Sequence, residues 1–154
     1  MMERTFVIVK PCAVQRGLCG EIISRFEKKG LKITALKMYR FTKEKCAEHY
    51  AHLLNKPFYP WIESSMTAAP VLLVCLEGYH AVDVVRQMTG ATRGYDAIPG
   101  TIRGDYSLSA QENIIHSSDS AETAAKELDR FFCEEDYFEY DSPLVDYIYA
   151  PDEK

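Results

Sequence analysis

Residues 99–120 read PGTIRGDYSLSAQENIIHSSDS, and they place one histidine, His116, between an arginine-bearing glycine loop and the apparent start of a helix. The glycines around Arg103 let backbone approach a bulky anion, and an arginine offers a planar fork of donors that suits phosphate. Downstream, Asp119 and Ser120 predict a helix start, so backbone amides and the positive helix end should also lie near His116. The stretch therefore predicts a histidine that faces a phosphate group.

On both sides of this stretch, the apolar pattern predicts four strands that alternate with four helices. The predicted strands are residues 5–9, 31–38, 71–77 and 114–115, and the predicted helices are residues 20–29, 42–55, 81–88 and 121–132. This order fits either a parallel doubly wound sheet or a ferredoxin-like split βαβ sandwich, and the pattern alone does not separate the two.

Two segments fall outside this pattern. Residues 89–107 contain four glycines and a proline with little periodicity. A loop of that length in a small domain is usually functional, so we expect a binding loop there. Residues 133–154 are rich in aromatic and acidic side chains. Such a composition predicts a C-terminal extension that packs on the body or on a neighbouring subunit.

The composition of the 154-residue chain excludes several classes of protein. With 47% hydrophobic residues, it predicts a single domain over residues 1–154 with a sizeable core. The net charge of -5 argues against a nucleic-acid surface. The longest apolar run, residues 68–76, is too short for a bilayer, and Glu3 and Arg4 stand where a signal peptide needs its apolar segment. We therefore expect a cytoplasmic protein without a membrane or nucleic-acid partner.

Neither the cysteines nor the other histidines indicate a metal site. The five cysteines are scattered without a CxxC spacing, so we expect free, buried thiols and neither a disulfide framework nor zinc. His49, His52 and His80 have no ligand partners at metal spacing, and we interpret them as surface or packing residues. Taken alone, His116 would also more often be a structural or helix-capping residue than a nucleophile.

Four segments in one order give the chain a close resemblance to nucleoside diphosphate kinases: Lys10-Pro11, GEIISRFEKKG at residues 20–30, PGTIRGD at residues 99–105 and NIIHSSDS at residues 113–120. The resemblance implies an α+β, ferredoxin-like fold, in which a four-stranded antiparallel sheet is flanked by helices, and a homo-oligomer. It also implies an enzyme that passes the γ-phosphoryl group of ATP or another nucleoside triphosphate through a histidine to a nucleoside diphosphate. This ping-pong route would maintain NTP and dNTP pools.

The resemblance implies a role for four residues near the reacting phosphate. His116 matches the nucleophile that becomes phosphohistidine, and imidazole suits this work because it is nucleophilic and largely neutral at neutral pH. Ser118 and Glu127 match the residues that orient the ring, and Tyr50 matches a hydroxyl near the γ-phosphate. A carboxylate at Glu127 would also stabilise charge that develops on the imidazole during transfer.

Seven further residues match nucleotide-binding positions of the family. They are Arg86, Thr92 and Arg103 for the phosphates, Lys10 and Asn113 for the ribose hydroxyls, with Lys10 also near the phosphates, and Phe58 and Ile62 for the base. Stacking on an aromatic face needs no base-edge hydrogen bond, so the resemblance implies a broad nucleotide range. The implied cofactor is Mg²⁺, held mainly by the nucleotide phosphates and not by protein ligands.

The chain departs from the family at a few positions. Cys12 stands where the family usually has an aspartate, and Gly94 stands where it usually has a proline. We expect Gly94 to loosen a loop that packs trimers in hexameric members. The C-terminal extension favours a hexamer over a tetramer. Two other functions stay open: a catalytically idle nucleotide-binding or oligomeric module, and a protein-to-protein phosphohistidine relay.

Overall fold

The computed structural model describes residues 2–154 and contains one antiparallel sheet of four strands in the order β2-β3-β1-β4. The strands are β1 (Met2–Val9), β2 (Lys32–Tyr39), β3 (Val71–Tyr79) and β4 (Ile115–Ser117). All three strand pairs run antiparallel. The fold is therefore the ferredoxin-like α+β sandwich, and the parallel doubly wound alternative is excluded.

Eight α-helices accompany the sheet in the described residues. They are α1 (Pro11–Gln15), α2 (Cys19–Lys29), α3 (Lys43–His49), α4 (Tyr59–Thr67), α5 (Ala81–Thr89), α6 (Ile102–Tyr106), α7 (Ala121–Phe131) and α8 (Val145–Ile148). Thr42 and Ser120 cap α3 and α7 through their side chains, as the sequence predicted, and Gly30 ends α2 with a φ of 103°.

The central strand β1 divides the core into two layers because successive side chains point to opposite faces of a sheet. Phe6 and Ile8 join the layer under α3, α4 and α7, which also holds Phe131. Val7 and Val9 join the layer under α2, α5 and α6. In the register of β4, His116 lies opposite Ile8, which places its ring on the α7 side of the sheet.

Several predicted elements differ from those observed, for local reasons. The helix predicted over residues 42–55 ends at His49, because Tyr50 leaves helical geometry and a short 3₁₀ turn, Ala51–Leu53, follows. The predicted loop over residues 89–107 contains α6, which is too short to show a periodic apolar stripe. The short helix α1 was not predicted either, although proline suits its first position.

The expectation that Gly94 loosens its loop is also wrong. Its N–H donates to the carbonyl of Ser109 at 3.0 Å, a bond that proline cannot make. A Cβ at this position would overlap the side chain of Ser107. Glycine therefore lets two parts of the loop pack closely, and it tightens the loop within the chain.

The residues after α7 lie against the body of the same chain. The N–H of Phe138 donates to the carbonyl of Thr34 at 2.8 Å, at an irregularity of β2, and the Tyr140 hydroxyl donates to Ile33. Further along, the Tyr149 hydroxyl accepts from the N–H of Tyr79 at 3.3 Å. These contacts join the C-terminal residues to two strands.

The cysteines differ from the prediction that all five are buried. Cys46 and Cys75 are buried, Cys12 and Cys19 are half-buried, and Cys133 is exposed, and all five are free. Within residues 2–154, none of the helices has the length and apolar character needed to cross a membrane.

Candidate active site

Ten of the eleven predicted site residues line two adjoining cavities at one end of the sheet. We call them the phosphate end, of about 390 Å³, and the base end, of about 510 Å³. Four of these residues line both cavities: Lys10, Tyr50, Thr92 and Asn113. The phosphate end is lined in addition by His116, Glu127, Arg86 and Arg103, and the base end by Phe58 and Ile62. Ser118 lies behind Glu127.

His116 is held by a buried carboxylate. Its Nε2 lies 2.6 Å from Oε2 of Glu127, which extends from α7 and is only 4% exposed. Oε1 of the same carboxylate accepts from the hydroxyl of Ser118 at 2.6 Å. Because a carboxylate only accepts, His116 carries its proton on Nε2, and Nδ1 is left with a free lone pair.

His49, which the sequence analysis interprets as a surface or packing residue, is buried beside this group. At the end of α3, its Nε2 lies 3.5 Å from Oε2 of Glu127, and its ring lies 5.0 Å from that of His116. Burial, followed by the charges of His116 and Arg130, lowers the pKa of His49 to about 2. The available signal was its place on the apolar stripe of α3, beside the buried Cys46.

Arg103 is fixed by the backbone around it. Its guanidinium donates to the carbonyls of Asn113 at 3.1 Å, Gly90 at 3.1 Å and Ile115 at 2.6 Å. Burial, with a smaller effect of Arg86, lowers the pKa of Arg103 to about 10. Arg103 also lines the cavity, so this side chain supports the backbone of β4 and adds positive charge beside the cavity.

The glycines around Arg103 serve the chain and not an anion, contrary to the prediction. Gly104 lies inside α6, where a Cβ would overlap the carbonyl of Ile98. Gly100 has a φ of 98°, and its N–H donates to the carboxylate of Asp105 at 2.8 Å. The predicted phosphate loop is thus a compact turn that carries Arg103 into the cavity.

Lys10 and Asn113 join the two cavities. Nζ of Lys10 donates to Oδ1 of Asn113 at 2.6 Å, and the amide nitrogen of Asn113 donates to the carbonyl of Thr92 at 2.9 Å. Burial, followed by the positive charge of Arg103, lowers the pKa of Lys10 to about 8. The site therefore concentrates positive charge that an anion would neutralise.

Tyr50 and Phe58 have different surroundings. Tyr50 is buried, and burial raises the pKa of its hydroxyl, so it stays protonated and able to donate. Phe58 is 40% exposed at the start of α4, near the half-buried Ile62. Phe58 is therefore not a core aromatic, and one face of the base end is open to a flat apolar group.

One group in residues 2–154 has donor atoms close enough to hold a metal ion: His49, His116 and Glu127, whose ligand atoms lie within 4.8 Å. The arrangement does not favour a cation. Arg130 donates to Nδ1 of His49 at 3.0 Å, so the neutral ring carries its proton on Nε2 and offers no lone pair there. The positive side chains that line the same cavity oppose a metal as well.

Comparisons with known proteins point to one family. A family model described as "Nucleoside diphosphate kinase" matches residues 3–137. The nucleoside diphosphate kinase of Parabacteroides distasonis is 55% identical over 152 residues, 99% of each chain, and that of Rhodopirellula baltica is 49% identical over 99% of this chain and 100% of its own. A solved structure of the Halobacterium salinarum nucleoside diphosphate kinase in complex with CDP superposes with a TM-score of 0.94, at 42% identity, over 97% of this chain and 100% of that one.

Proposed function

The chain belongs to the nucleoside diphosphate kinase family and transfers the γ-phosphoryl group of a nucleoside triphosphate to a nucleoside diphosphate, and we propose that His116 carries that group. One observation carries the proposal. Nε2 of His116 is bound to the buried Glu127, while the ring opens onto a cavity lined by Arg86 and Arg103. A nucleophile with one free nitrogen thus faces a cationic cavity.

In the first half-reaction, the lone pair of His116 Nδ1 attacks the γ-phosphorus and forms a P–N bond. The bond between that phosphorus and the β,γ-bridging oxygen breaks, and the nucleoside diphosphate leaves with its electron pair. The proton on Nε2 stays in its hydrogen bond to Glu127. The Glu127 carboxylate stabilises the positive charge that the ring acquires.

The second half-reaction is the reverse with another nucleotide. A terminal β-phosphate oxygen of the acceptor attacks the phosphorus, and the P–N bond breaks with its electron pair returning to Nδ1. The enzyme regains its starting state without a net gain or loss of protons. This balance accounts for a ping-pong exchange in which one cavity serves both nucleotides.

The cations of the phosphate end stabilise charge on the transferring group. Arg86, Arg103 and Lys10 line the cavity from three elements, and the protonated hydroxyl of Tyr50 adds a neutral donor. Donors fixed before the reaction act without reorganisation, and removing one typically costs a factor of about 10² to 10³ in rate. We assign these residues, with Thr92, to the phosphates.

The base end receives the nucleoside. Phe58 and Ile62 provide an apolar surface for the base, and Lys10 and Asn113 at the junction of the cavities lie where ribose hydroxyls would reach them. The relative from Halobacterium salinarum, whose structure contains CDP, has the same fold, which supports placing a nucleotide here. Stacking without base-edge contacts lets any nucleobase bind.

The residues present fit a Mg²⁺ ion that the nucleotide phosphates hold. Of the acidic side chains that line the phosphate end, Glu127 is occupied, and Asp119 is exposed. Thr123 beside it keeps the pKa of Asp119 below its ordinary value, so its carboxylate is ionised and available to the ion or its waters. When bound, the ion neutralises phosphate charge in the transition state.

Three further properties belong to this proposal. Residues 1–154 act as one domain, with the extension of residues 133–154 packed on the body through Phe138, Tyr140 and Tyr149. The protein forms a homo-oligomer, with a hexamer favoured over a tetramer. It works in the cytoplasm, where its nucleotide substrates are.

Labelling tests the proposed carrier. Incubation with γ-labelled ATP and Mg²⁺ should label the protein with an acid-labile, base-stable phosphate, and any nucleoside diphosphate should remove the label. His116→Ala should not label, whereas His80→Asn, at an exposed turn, should label as the wild type does. A wild-type protein that binds nucleotide without labelling would be an idle module. One whose label passes to a protein acceptor but not to a diphosphate would be a relay.

A further inference from the structure

His49 is a buried titratable side chain that the reaction above does not use. It is 6% exposed and packs between the rings of Phe6, Phe41, Phe131 and Tyr50, at 4.6 to 6.4 Å. Its Nε2 is buried without a hydrogen-bond partner, and Oε2 of Glu127 lies 3.5 Å from it. A buried polar atom aimed at a catalytic carboxylate needs an explanation.

Arg130 fixes the tautomer of His49. A guanidinium has only donors, so Nδ1 of His49 must accept from Nη1 of Arg130 at 3.0 Å. The neutral ring therefore carries its one proton on Nε2, which faces Glu127. Arg130 is itself held by Glu48, whose Oε1 lies 3.4 Å from its Nε. The contact thus links α3 to α7 in one orientation.

The surroundings of His49 keep its ring neutral. The charged or titratable groups that face it are Arg130 and Glu127 from α7, His116 from β4, His52 from the 3₁₀ turn and Lys10 from the end of β1. All of these except Glu127 oppose a positive ring, and the apolar rings remove water from it. A second proton would also have to lie on Nδ1, where it would meet the N–H of Arg130.

Glu127 consequently faces donors on both of its oxygens. Oε1 accepts from Ser118, and Oε2 faces Nε2 of both His116 and His49. With three donors facing it, the carboxylate is placed to act as an acceptor, including toward Nε2 of His116. The orientation of the Glu127 carboxylate also determines which ring nitrogen of His116 carries the proton.

On the basis of the proposed function, we propose that His49, with its tautomer fixed by Arg130, is a positioning residue that holds Glu127 toward His116. The proton of His116 then stays on Nε2, and Nδ1 stays free to attack. His49 touches neither the phosphate nor the nucleotide, and it acts only through Glu127.

Two substitutions at His49 separate positioning from packing. His49→Phe keeps a buried ring but removes the donor, and His49→Gln keeps an N–H that can reach Glu127. We expect His49→Phe to slow phosphorylation of His116 by ATP about 10- to 100-fold in a single turnover, with nucleotide affinity changed less than about 2-fold. His49→Gln should recover most of the rate, and His80→Asn should match the wild type.

Nitrogen-15 NMR of the His116 ring in the nucleotide-free protein provides a readout that does not depend on activity. The wild type should show a protonated Nε2 and a bare Nδ1. His49→Phe and Arg130→Met should show a mixture of tautomers, and His49→Gln should resemble the wild type. A failure of the labelling test would reject the carrier role of His116. The tautomer measurement would still test whether His49 positions Glu127.

Two results would overturn the inference. One is a His49→Phe protein with the wild-type rate and tautomer. The other is an equal loss of rate in His49→Phe and His49→Gln with the His116 tautomer unchanged, because that would mean that His49 only fills space.

Discussion

At the phosphate end of the cleft, Arg103 and Glu127 are buried, and backbone carbonyls or other side chains fix each of them. At the base end, Phe58 is 40% exposed, and the cavity offers mostly apolar surface with few directed groups. Phosphoryl transfer needs atoms placed in advance, because stabilisation of the transition state depends on fixed donors. Accepting any nucleobase needs only a flat apolar face. Under the proposed function, the contrast would explain how one site joins specific chemistry to a broad choice of nucleotide.

The largest effect should come from removing Arg103, because it has both a structural and a chemical role. Arg103→Met leaves the carbonyls of Gly90, Asn113 and Ile115 without this donor. We expect the free energy of unfolding to fall by about 2 to 4 kcal/mol. Phosphoryl transfer should slow by a factor of about 10² to 10³. Urea unfolding and steady-state exchange kinetics measure the two effects.

Arg86→Met is the matched variant, because Arg86 makes a single backbone contact, to the carbonyl of Ser117 at 3.3 Å. It should slow transfer comparably and change stability by less than about 1 kcal/mol. Equal destabilisation by the two variants would contradict the structural role of the three backbone hydrogen bonds of Arg103.

Substitution of Lys10 tests whether its buried charge destabilises the nucleotide-free protein. A lysine with a pKa of about 8 in the folded chain binds fewer protons there than in the unfolded chain, up to its ordinary value of 10.5. Stability therefore rises with pH across this window, and the cost of burying the charged group is fully present below pH 8. Lys10→Met should stabilise the nucleotide-free protein at pH 7, on the order of 1 to 3 kcal/mol.

The same substitution should weaken ADP binding about 10- to 100-fold, because a charge-assisted contact to the nucleotide is lost. The stability gain should shrink toward pH 10, and the wild type should bind ADP less tightly as the pH rises through 8. Lys29→Met, at an exposed position, serves as the control and should change neither property. Chemical denaturation and calorimetry at several pH values provide the measurements. A destabilised Lys10→Met protein would contradict the account.

Phe58→Ala tests the base end. Loss of one stacking surface should raise KM about 10-fold for ATP, GTP, CTP and UTP alike, with kcat changed much less, since stacking contributes about 1 to 3 kcal/mol per base. The measurement is exchange kinetics with each triphosphate. A change confined to one base would mean that Phe58 selects among bases.

The smallest effect should come from the loop that borders both ends. Gly94→Ala places a methyl group against Ser107, and we expect it to destabilise the fold by about 1 to 2 kcal/mol and to lower Tm by about 2 to 8 °C. Adding Ser107→Gly should not restore the wild-type Tm, because the backbone carbonyl of Ser107 still overlaps the methyl group and the hydroxyl bonds to Ser109 and Glu112 are lost. Thermal melts of Gly94→Ala, Ser107→Gly and the double variant measure these changes in Tm. An unchanged Tm in Gly94→Ala would contradict the close packing of Gly94 against Ser107.

The sequence predicts the fold and most of the cleft for a physical reason. Lys10 lies at the end of β1 and Arg103 near the start of α6, and the fold brings both side chains to the cavity that His116 of β4 lines. The family resemblance supplied what periodicity could not, namely the choice between a parallel and an antiparallel sheet. Caps such as Thr42 and Ser120 act over three residues and could be predicted directly.

What escaped prediction depends on contacts between distant residues. His49 and Arg130 are 81 positions apart, and only the packing of α3 on the sheet reveals that they meet beside Glu127. Likewise, Arg103 reaches carbonyls on either side of it in the chain, which no local pattern indicates. The close approach of Gly94 and Ser107 is a tertiary feature of the same kind.

The most direct test of the central claim is the position of phosphorus on the labelled protein. After brief reaction with γ-labelled ATP and Mg²⁺, phosphohistidine can be identified by phosphorus and nitrogen NMR or by chromatography of an alkaline digest. We expect phosphate on Nδ1 of His116 alone. Phosphate on Nε2 of His116, or on any other residue with His116 unmodified, would contradict it.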